Sequence, residues 1–201
     1  MKNYLVALLT FFIAFFTTVA QAITLEDIQQ QFSKNKIMRA DFIQYRYING
    51  LPNPLHSTGK MIISQDLGLW WQQQTPFVIT LKINSKRMEQ SIEDQKPQII
   101  TAESQSQLFQ FNNLLTSLFI ADKEMLETNF DIELSEQNKH WILTLTPKVT
   151  PLNKIFKQII LIGATHLEKI TINDMQHDKT TLEFLNHQTT KLAQHEQSLF
   201  K

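Results

Sequence analysis

The fold is set by residues 59–92, which read GKMIISQDLGLWWQQQTPFVITLKINSKRMEQSI. Four short stretches typical of β-strands lie in this segment, at Gly59–Ser64, Leu69–Gln73, Phe77–Ile83 and Arg87–Ile92. Three or four residues separate each stretch from the next, and these connections contain Gly, Pro, Asn or Ser, which are typical of turns. Connections this short join antiparallel neighbours, so the segment predicts a meander of antiparallel strands.

The residues before the meander predict one helix and one further strand. Thr24 and Asp27 have the spacing of a capping box, and apolar residues follow at i, i+3 and i+7, which predicts an amphipathic helix at Thr24–Lys34. From Met38 the apolar period changes to two, as in a strand. Proline fixes φ and restricts the preceding residue, so Leu51–Pro54 predicts a turn into the meander.

The residues after the meander predict a helical interval and a second set of strands. Apolar residues recur at helical spacing in Gln107–Thr128, with Ala121–Thr128 as a second helical piece. No alternation of strand and helix runs along the chain, so the fold class is α+β, a large antiparallel sheet with helices on one face. The polar tail from Gln188 is expected to be frayed. Further strands are predicted at Asp131–Leu134, Trp141–Thr146, Ile155–Ile162, Leu167–Asn173 and Thr180–Asn186.

The first 22 residues predict a secretory signal peptide. Lys2 supplies a positive start, Tyr4–Val19 is apolar, and Ala20–Ala22 offers the small residues of a cleavage site. The alternative, an uncleaved membrane anchor, is disfavoured because the apolar stretch is shorter than the ~20 residues of a spanning helix. We therefore expect cleavage after residue 22 and a single exported domain at residues 23–201, without disulfide or lipid attachment because the chain has no Cys.

Composition and motifs exclude several classes of function. The 19 Lys and Arg balance 19 Asp and Glu, so the electrostatic attraction that nucleic-acid binding depends on is missing. The six His show neither H-x-H nor H-E-x-x-H spacing, and the four Gly form no phosphate-binding loop. We therefore predict no metal site, no cofactor and no catalytic residue, although distant strands could still assemble carboxylates.

Four motifs, in order, resemble one known family. Ala40–Gln44 matches its A-x-F-x-Q strand, and Ser57–Ile63 matches its S-x-G-x-L/M-x-I segment. Trp71 keeps the family's tryptophan, with Pro76 five residues later, and Leu145–Lys148 reads L-T-P-K. Over residues 24–186 the chain is similar to LolA, the family of periplasmic carriers of outer-membrane lipoproteins.

The resemblance implies an incomplete antiparallel β-barrel, with helices forming a lid over an apolar cavity. Such a protein would be a monomeric periplasmic carrier that receives acylated lipoprotein or lipid cargo from an inner-membrane donor complex and delivers it to an outer-membrane receptor. Each cavity position would show the same apolar pattern in an ordinary core, so both interpretations stay open. The acyl-chain-binding residues that the family implies here are Ile63, Leu69, Trp71, Leu81, Leu115, Leu118 and Phe119.

One position departs from the family pattern. Gln65-Asp66 replaces the Arg-Pro whose arginine, in the family, bonds the lid helices of the empty form. Glutamine keeps a donor and an acceptor but lacks the charge and the five-donor fork. Gln65 is therefore the candidate lid latch of a divergent member. A lipid-sensing regulatory module on the same half-barrel is the alternative function, and an enzyme acting on a lipid-linked substrate is the second alternative.

Overall fold

The computed structural model describes residues 23–101, 103–104, 119 and 122–200. The predicted signal peptide and most of the predicted helical interval Gln107–Thr128 lie outside these residues. Within them, no helix has the length and apolar character needed to cross a bilayer. The described helices are α1 Leu25–Ser33, α2 Lys123–Asn129, α3 Leu152–Ile155 and α4 Gln194–Ser198. The strands are β1 Ile37–Tyr47, β2 Leu55–Ser64, β3 Gly68–Thr75, β4 Ile79–Ile83, β5 Arg87–Ile92, β6 Gln98–Thr101, β7 Phe130–Gln137, β8 His140–Pro147, β9 Phe156–Gly163, β10 Leu167–Asp174 and β11 Lys179–Gln188.

All eleven strands form one antiparallel sheet, in the order β6-β5-β4-β3-β2-β1-β11-β10-β9-β8-β7. Strands β1 to β6 make one meander and β7 to β11 make another. The pairing of β1 with β11, which we call the seam, joins the two meanders. The sheet does not close on itself, since β6 and β7 are its edges. The predicted α+β class and the incomplete antiparallel barrel are confirmed, while the lid stays a prediction.

Helix α1 begins at the predicted capping box. The Thr24 hydroxyl accepts a hydrogen bond from the Asp27 N–H at 3.2 Å, and the Asp27 carboxylate accepts one from the Thr24 N–H at 2.9 Å. These bonds satisfy two N–H groups that a helix start leaves without partners. The Thr24 hydroxyl also donates to the Asp27 carboxylate at 2.6 Å, and this bond, followed by the one from the Thr24 N–H, lowers the pKa of Asp27. At the other end of the helix, Phe32 packs edge-on against Trp141 with ring centroids 5.8 Å apart. Helix α1 is thus fixed to the inner face of the sheet.

The core lies on the inner face, between the sheet and helices α1 and α2. Alternate residues of the strands point inward, because successive side chains of a strand lie on opposite faces. Ile28 of α1 and Leu126 of α2 are fully buried among these strand residues. The strand residues of the core include Phe42, Met61, Leu69, Ile83, Leu143, Leu145, Leu161, Ile170 and Phe184.

The C-terminal tail is held on the outer face of the sheet, so the prediction of a frayed tail is wrong. Arg39 alternates with core residues along β1 and faces outward. Its guanidinium donates to both carboxylate oxygens of Glu196, each at 2.5 Å, and to the carbonyls of Thr190 and Lys191 at 2.8 and 3.0 Å. We call these four residues the tail clamp. The apolar content of the tail is low. Its docking is stabilised instead by the forked pair of charged hydrogen bonds and by the two bonds to backbone carbonyls.

The outer face beside the tail clamp also buries two large apolar residues. Ile62 is the register partner of Arg39 on β2, and Trp70 is the partner of Ile62 on β3. They are 5% and 7% exposed, although neither belongs to the core of the inner face. They lie on the face to which Arg39 holds the tail.

Candidate functional site

Adjacent strands place four predicted site residues side by side on the inner face. Ile63 of β2 pairs with Leu69 of β3, and Trp71 of β3 pairs with Leu81 of β4. Side chains of paired residues point to the same face of an antiparallel sheet. Because the two pairs lie two residues apart along β3, they form one continuous apolar surface.

The predicted site residues differ in how far they are covered. Ile63, Leu69 and Phe119 are buried, whereas Trp71 and Leu81 are half-buried and pack against the core. Leu115 and Leu118, the remaining two predicted positions, lie outside the described residues. Within the described chain, the half-buried pair is the part of this surface that an apolar ligand can reach with least rearrangement.

Four aromatic rings meet where β1, β3 and β11 face the interior. Trp71 stacks on Phe42 with centroids 3.7 Å apart, and both Phe119 and Phe184 lie 6.4 Å from Trp71. Phe119 and Phe184 pack edge-on at 5.7 Å. Sequence reasoning assigned no site role to Phe184, although its position in the alternating run of β11 identifies it as inward-facing. The cluster extends the apolar surface across the seam.

A narrow cleft opens at the end of the inner face where α1 meets β2. Its volume is about 20 Å³, on a measure by which one water molecule needs about 10–15 Å³. This cleft is mainly apolar and is too small for a hydrocarbon chain as it stands. The residues around it are Phe32, Asn35, Met38, Ile63, Gln65, Phe119 and His166.

Gln65, the candidate latch, lies at this cleft. It follows β2, and its backbone N–H donates to the Lys36 carbonyl at 2.9 Å. Its side-chain amide donates to the Ser33 carbonyl at 3.5 Å, which is a long hydrogen bond at the last residue of α1. Gln65 thus connects the β2–β3 turn to helix α1 only weakly by its side chain.

Two histidines stack beside the cleft. The rings of His166 and His187 lie 5.0 Å apart and nearly parallel, and His187 Nε2 lies 2.8 Å from the Leu167 carbonyl. Burial lowers the pKa of His166, and the neighbouring His187 lowers it further, while Glu168 opposes the change. His166 therefore favours the neutral form, which suits a mainly apolar cleft.

The described residues contain no cluster of three or more His, Asp or Glu side chains that could hold a metal ion. The acidic groups with resolved shifts have their pKa values lowered by partners, as Glu196 has by Arg39. A general acid at neutral pH needs a pKa raised by burial or by a like charge, which is the opposite arrangement.

Several solved structures resemble this chain, each at low sequence identity. A LolA superfamily protein from Nitrosomonas europaea has 7% identity and a TM-score of 0.47, covering 90% of this chain and 98% of the other. A DUF1329 family protein from Desulfovibrio piger has 11% identity and a TM-score of 0.46, covering 84% and 92%. An outer membrane lipoprotein-sorting protein domain from Vibrio parahaemolyticus has 9% identity and a TM-score of 0.42, covering 88% and 98%.

Among curated proteins, no sequence matches this chain. A family model, described as outer membrane lipoprotein carrier protein LolA-like, matches residues 17–192. The match spans both meanders of the sheet, the seam between them and all four residues of the apolar surface, Ile63, Leu69, Trp71 and Leu81. The chain therefore belongs to the outer membrane lipoprotein carrier protein LolA-like family.

Proposed function

We propose that this protein is a periplasmic carrier that shields the acyl chains of lipoproteins, or of lipid-like cargo, between the inner and the outer membrane. The observation that carries the proposal is the continuous apolar surface of Ile63, Leu69, Trp71 and Leu81, half-buried at Trp71 and Leu81. Membership of the LolA-like family supports the same function. On this proposal the protein acts by binding alone, without a cofactor or a catalytic residue.

The free energy of hydrocarbon hydration explains why such cargo needs a carrier. Each methylene removed from water contributes about 0.8 kcal/mol, so one acyl chain of ordinary length represents on the order of 10 kcal/mol. Unassisted transfer through water is therefore negligible. The carrier has to match this value closely without exceeding it, because an excess would prevent delivery to the acceptor.

Loading has to displace side chains of the inner face. The cleft beside Ile63 and Phe119 has room for about one water. We infer that an acyl chain enters by separating Phe119 from Trp71 and Phe184, whose rings lie 6.4 and 5.7 Å away. The ring packing lost on loading offsets part of the gain from hydrocarbon burial, which keeps binding reversible.

The test has a binding arm and a transfer arm. Protein purified without detergent is extracted for lipids, and its native mass is measured to detect a bound acyl species. The same protein is then mixed with labelled acylated cargo in donor membranes and with unlabelled acceptor membranes. Transfer with bound lipid supports the carrier. Binding without transfer would identify the lipid-sensing module instead, and chemical turnover of the cargo would identify an enzyme.

Two substitutions locate the binding surface. Trp71→Glu and Leu81→Glu each place a carboxylate on the inner apolar surface at a half-buried position, which should abolish acyl binding because the charge opposes desolvation. Thr80→Glu adds the same charge to the opposite face of β4 and should leave binding intact. Leu69→Glu is a poorer test, since Leu69 is 4% exposed and its replacement should unfold the core. If Thr80→Glu and Leu81→Glu bind acyl chains equally while both stay folded, the site assignment is wrong.

The latch hypothesis has its own variant. Gln65→Arg restores a five-donor group next to the last residue of α1, where the present amide makes one long hydrogen bond. If Gln65 controls access, the variant should load more slowly while its final occupancy changes less. Unchanged loading kinetics would show that access is controlled elsewhere.

A further inference from the structure

One end of the sheet exposes apolar side chains in three adjoining turns. They come from the β1–β2 turn, the β10–β11 turn and helix α3 between β8 and β9. We call Tyr47, Leu51, Leu55, Ile155 and Met175 the hairpin rim; each is between 41% and 53% exposed. No other described element covers them, so this apolar surface faces solvent.

Hydrogen bonds between the turns make the hairpin rim continuous. The Met175 N–H donates to the Ile155 carbonyl at 3.0 Å, which joins the β10–β11 turn to α3. The Asn49 N–H donates to the Asp178 carboxylate at 2.9 Å, which joins the β1–β2 turn to the same β10–β11 turn. The rim is therefore one surface joined by these two hydrogen bonds, not three independent loops.

Basic residues surround the hairpin rim. Lys154 and Lys157 are exposed on either side of Ile155, and Lys179 lies with its ammonium 4.5 Å from the centre of the Tyr47 ring. The region around the rim contains five basic and three acidic side chains. His177 lies at the tip of the β10–β11 turn. The bases are Arg46, Lys148, Lys154, Lys157 and Lys179, and the acids are Asp131, Asp174 and Asp178.

Two of these acids are already engaged by the protein. The Asp174 carboxylate accepts from the Gln176 and Asp178 N–H groups at 2.9 and 2.8 Å. Asp178 lies 3.6 Å from the Arg46 guanidinium and accepts the Asn49 N–H. These bonds hold the turns in place. Because the bases outnumber the acids here by five to three, the surface that solvent meets is apolar and cationic.

The opposite end of the sheet has a different composition. Its described turns are mainly polar, at Lys34–Lys36, Gln65–Leu67, Asn84–Lys86, Asn138–Lys139 and Ala164–His166. Leu67 is the exposed large apolar residue there, at 37%. The two ends differ although both are built of short turns, so the apolar composition of the rim is not a requirement of turn formation.

We propose that the hairpin rim docks the protein on an anionic bilayer surface. The apolar tips enter the boundary between headgroups and acyl chains, while Lys154, Lys157 and Lys179 meet lipid phosphates. Interfacial binding of this kind combines buried apolar area with attraction to anionic lipid, and each contribution alone is weak. Long Lys side chains bury their methylenes and keep the ammonium in the headgroup layer.

A bilayer fits these features better than a protein partner does. The rim presents separate apolar tips with cations between them, and the core of a protein interface is depleted in Lys. A fluid headgroup layer needs no complementary shape. The inference does not depend on acyl binding, because a protein with an empty interior would dock equally well.

The experiment measures co-sedimentation of the full chain with phosphatidylcholine vesicles, with and without phosphatidylglycerol, at low and high salt. Wild type should bind the anionic vesicles, and added salt should weaken binding because it screens exposed charges. Lys154→Ser with Lys157→Ser should weaken binding about 25-fold, from about fivefold for each charge lost near an anionic surface. Ile155→Ser with Met175→Ser should weaken it at either salt concentration.

The control changes the same residue types at the other end of the sheet. Lys86→Ser with Lys139→Ser, and Leu67→Ser, should bind as wild type does. The proposal is overturned if the control pair loses as much affinity as the rim pair, if neutral vesicles bind equally well, or if nothing sediments until a membrane protein is added. Trp71→Glu should keep vesicle binding after losing acyl chains, so failure of docking and failure of acyl binding remain distinguishable.

Discussion

Replacing Glu196 with Gln should release the C-terminal tail from the outer face of the sheet. The wild-type carboxylate receives Nε and Nη2 of Arg39, each at 2.5 Å, in a forked arrangement. Glutamine offers a single oxygen and no charge, so one of the two bonds is lost and the other becomes weaker. Arg39 would keep its hydrogen bonds to the carbonyls of Thr190 and Lys191. These bonds hold the chain before α4 but not α4 itself.

The magnitude follows from the number and kind of bonds lost. A hydrogen bond to a charged group contributes about 1.5–3 kcal/mol, so losing one and weakening another should cost the docked tail about 2–3 kcal/mol. Each 1.4 kcal/mol is a tenfold change in an equilibrium constant, so the open fraction of the tail should rise about 30- to 140-fold. The rest of the sheet should keep its free energy of unfolding within about 1 kcal/mol, because no core side chain changes.

Limited trypsin digestion measures the open fraction. Lys191 is a cleavage site whose carbonyl is bonded to Arg39, so cleavage there requires opening of the tail. When opening and closing are fast, the cleavage rate follows the open population. Trp70 lies on the same outer face and is 7% exposed, so a shift of its fluorescence to longer wavelength on tail release would show that the tail covers it. Gln194→Ala, at an exposed position of the same helix, is the control.

The refuting result is a Glu196→Gln variant with wild-type cleavage at Lys191 and unchanged fluorescence. The clamp would then be incidental to tail docking. Acid provides an independent check, since Arg39 lowers the pKa of Glu196 to about 2 from its ordinary value of 4.5. A lowered carboxyl pKa stabilises the docked tail fully above 4.5, and that stabilisation is lost as pH falls from 4.5 through 2.

Three further predictions concern the sheet and the cleft. Gly59→Ala should lower the free energy of unfolding in urea by more than about 2 kcal/mol, since the added Cβ would lie 2.0 Å from the Gln72 carbonyl oxygen. A neutral result would mean that β2 and β3 can move apart at this position. Leu126→Ala should cost about 2–5 kcal/mol, measured in the same way, because this side chain is fully buried; a loss under 1 kcal/mol would show that α2 is not part of the cooperative core. Burial and His187 lower the pKa of His166 below its ordinary 6.5, so the free energy of unfolding should fall as pH drops below 6.5. His166→Gln should make this dependence of the free energy of unfolding on pH less steep. An equally steep dependence in the variant would mean that other groups cause it.

Most of the sheet could be predicted because its strands alternate clearly. The runs at Gly59–Ser64 and Arg87–Ile92 appear as strands with the same last residue, and the capping box of Thr24 and Asp27 begins α1 as expected. Ala121–Thr128 predicted the helix that the structure places at Lys123–Asn129. Local pattern sufficed in these places because local pairing and burial agree with it.

Other elements depend on partners distant in sequence. Strand β6, Gln98–Thr101, follows a proline and has four residues, so only its pairing with β5 defines it. The tail has no apolar period, and its docking rests on Arg39, 157 positions before Glu196. Neither signal exists in a short window of sequence.

The candidate site also has features that the sequence predicts and features that it does not. The strand pairing that aligns Trp71 with Leu81 follows from alternation and short turns, so their common face could be predicted. The ring cluster could not, because Phe184 joins it through the seam, across more than a hundred residues. The small volume of the cleft depends on side-chain packing, which alternation alone does not determine.

The last strand of the chain, β11, is the one that holds the two meanders together in the sheet. Strand β11 lies between β1 and β10, so it bonds to both meanders at once. A protein shortened before Lys179 would lose the strand-to-strand hydrogen bonds that connect β1–β6 to β7–β10 in the described sheet, and β1 and β10 would become bare edges. A premature stop late in translation should therefore yield insoluble material and not a shortened protein that keeps its fold.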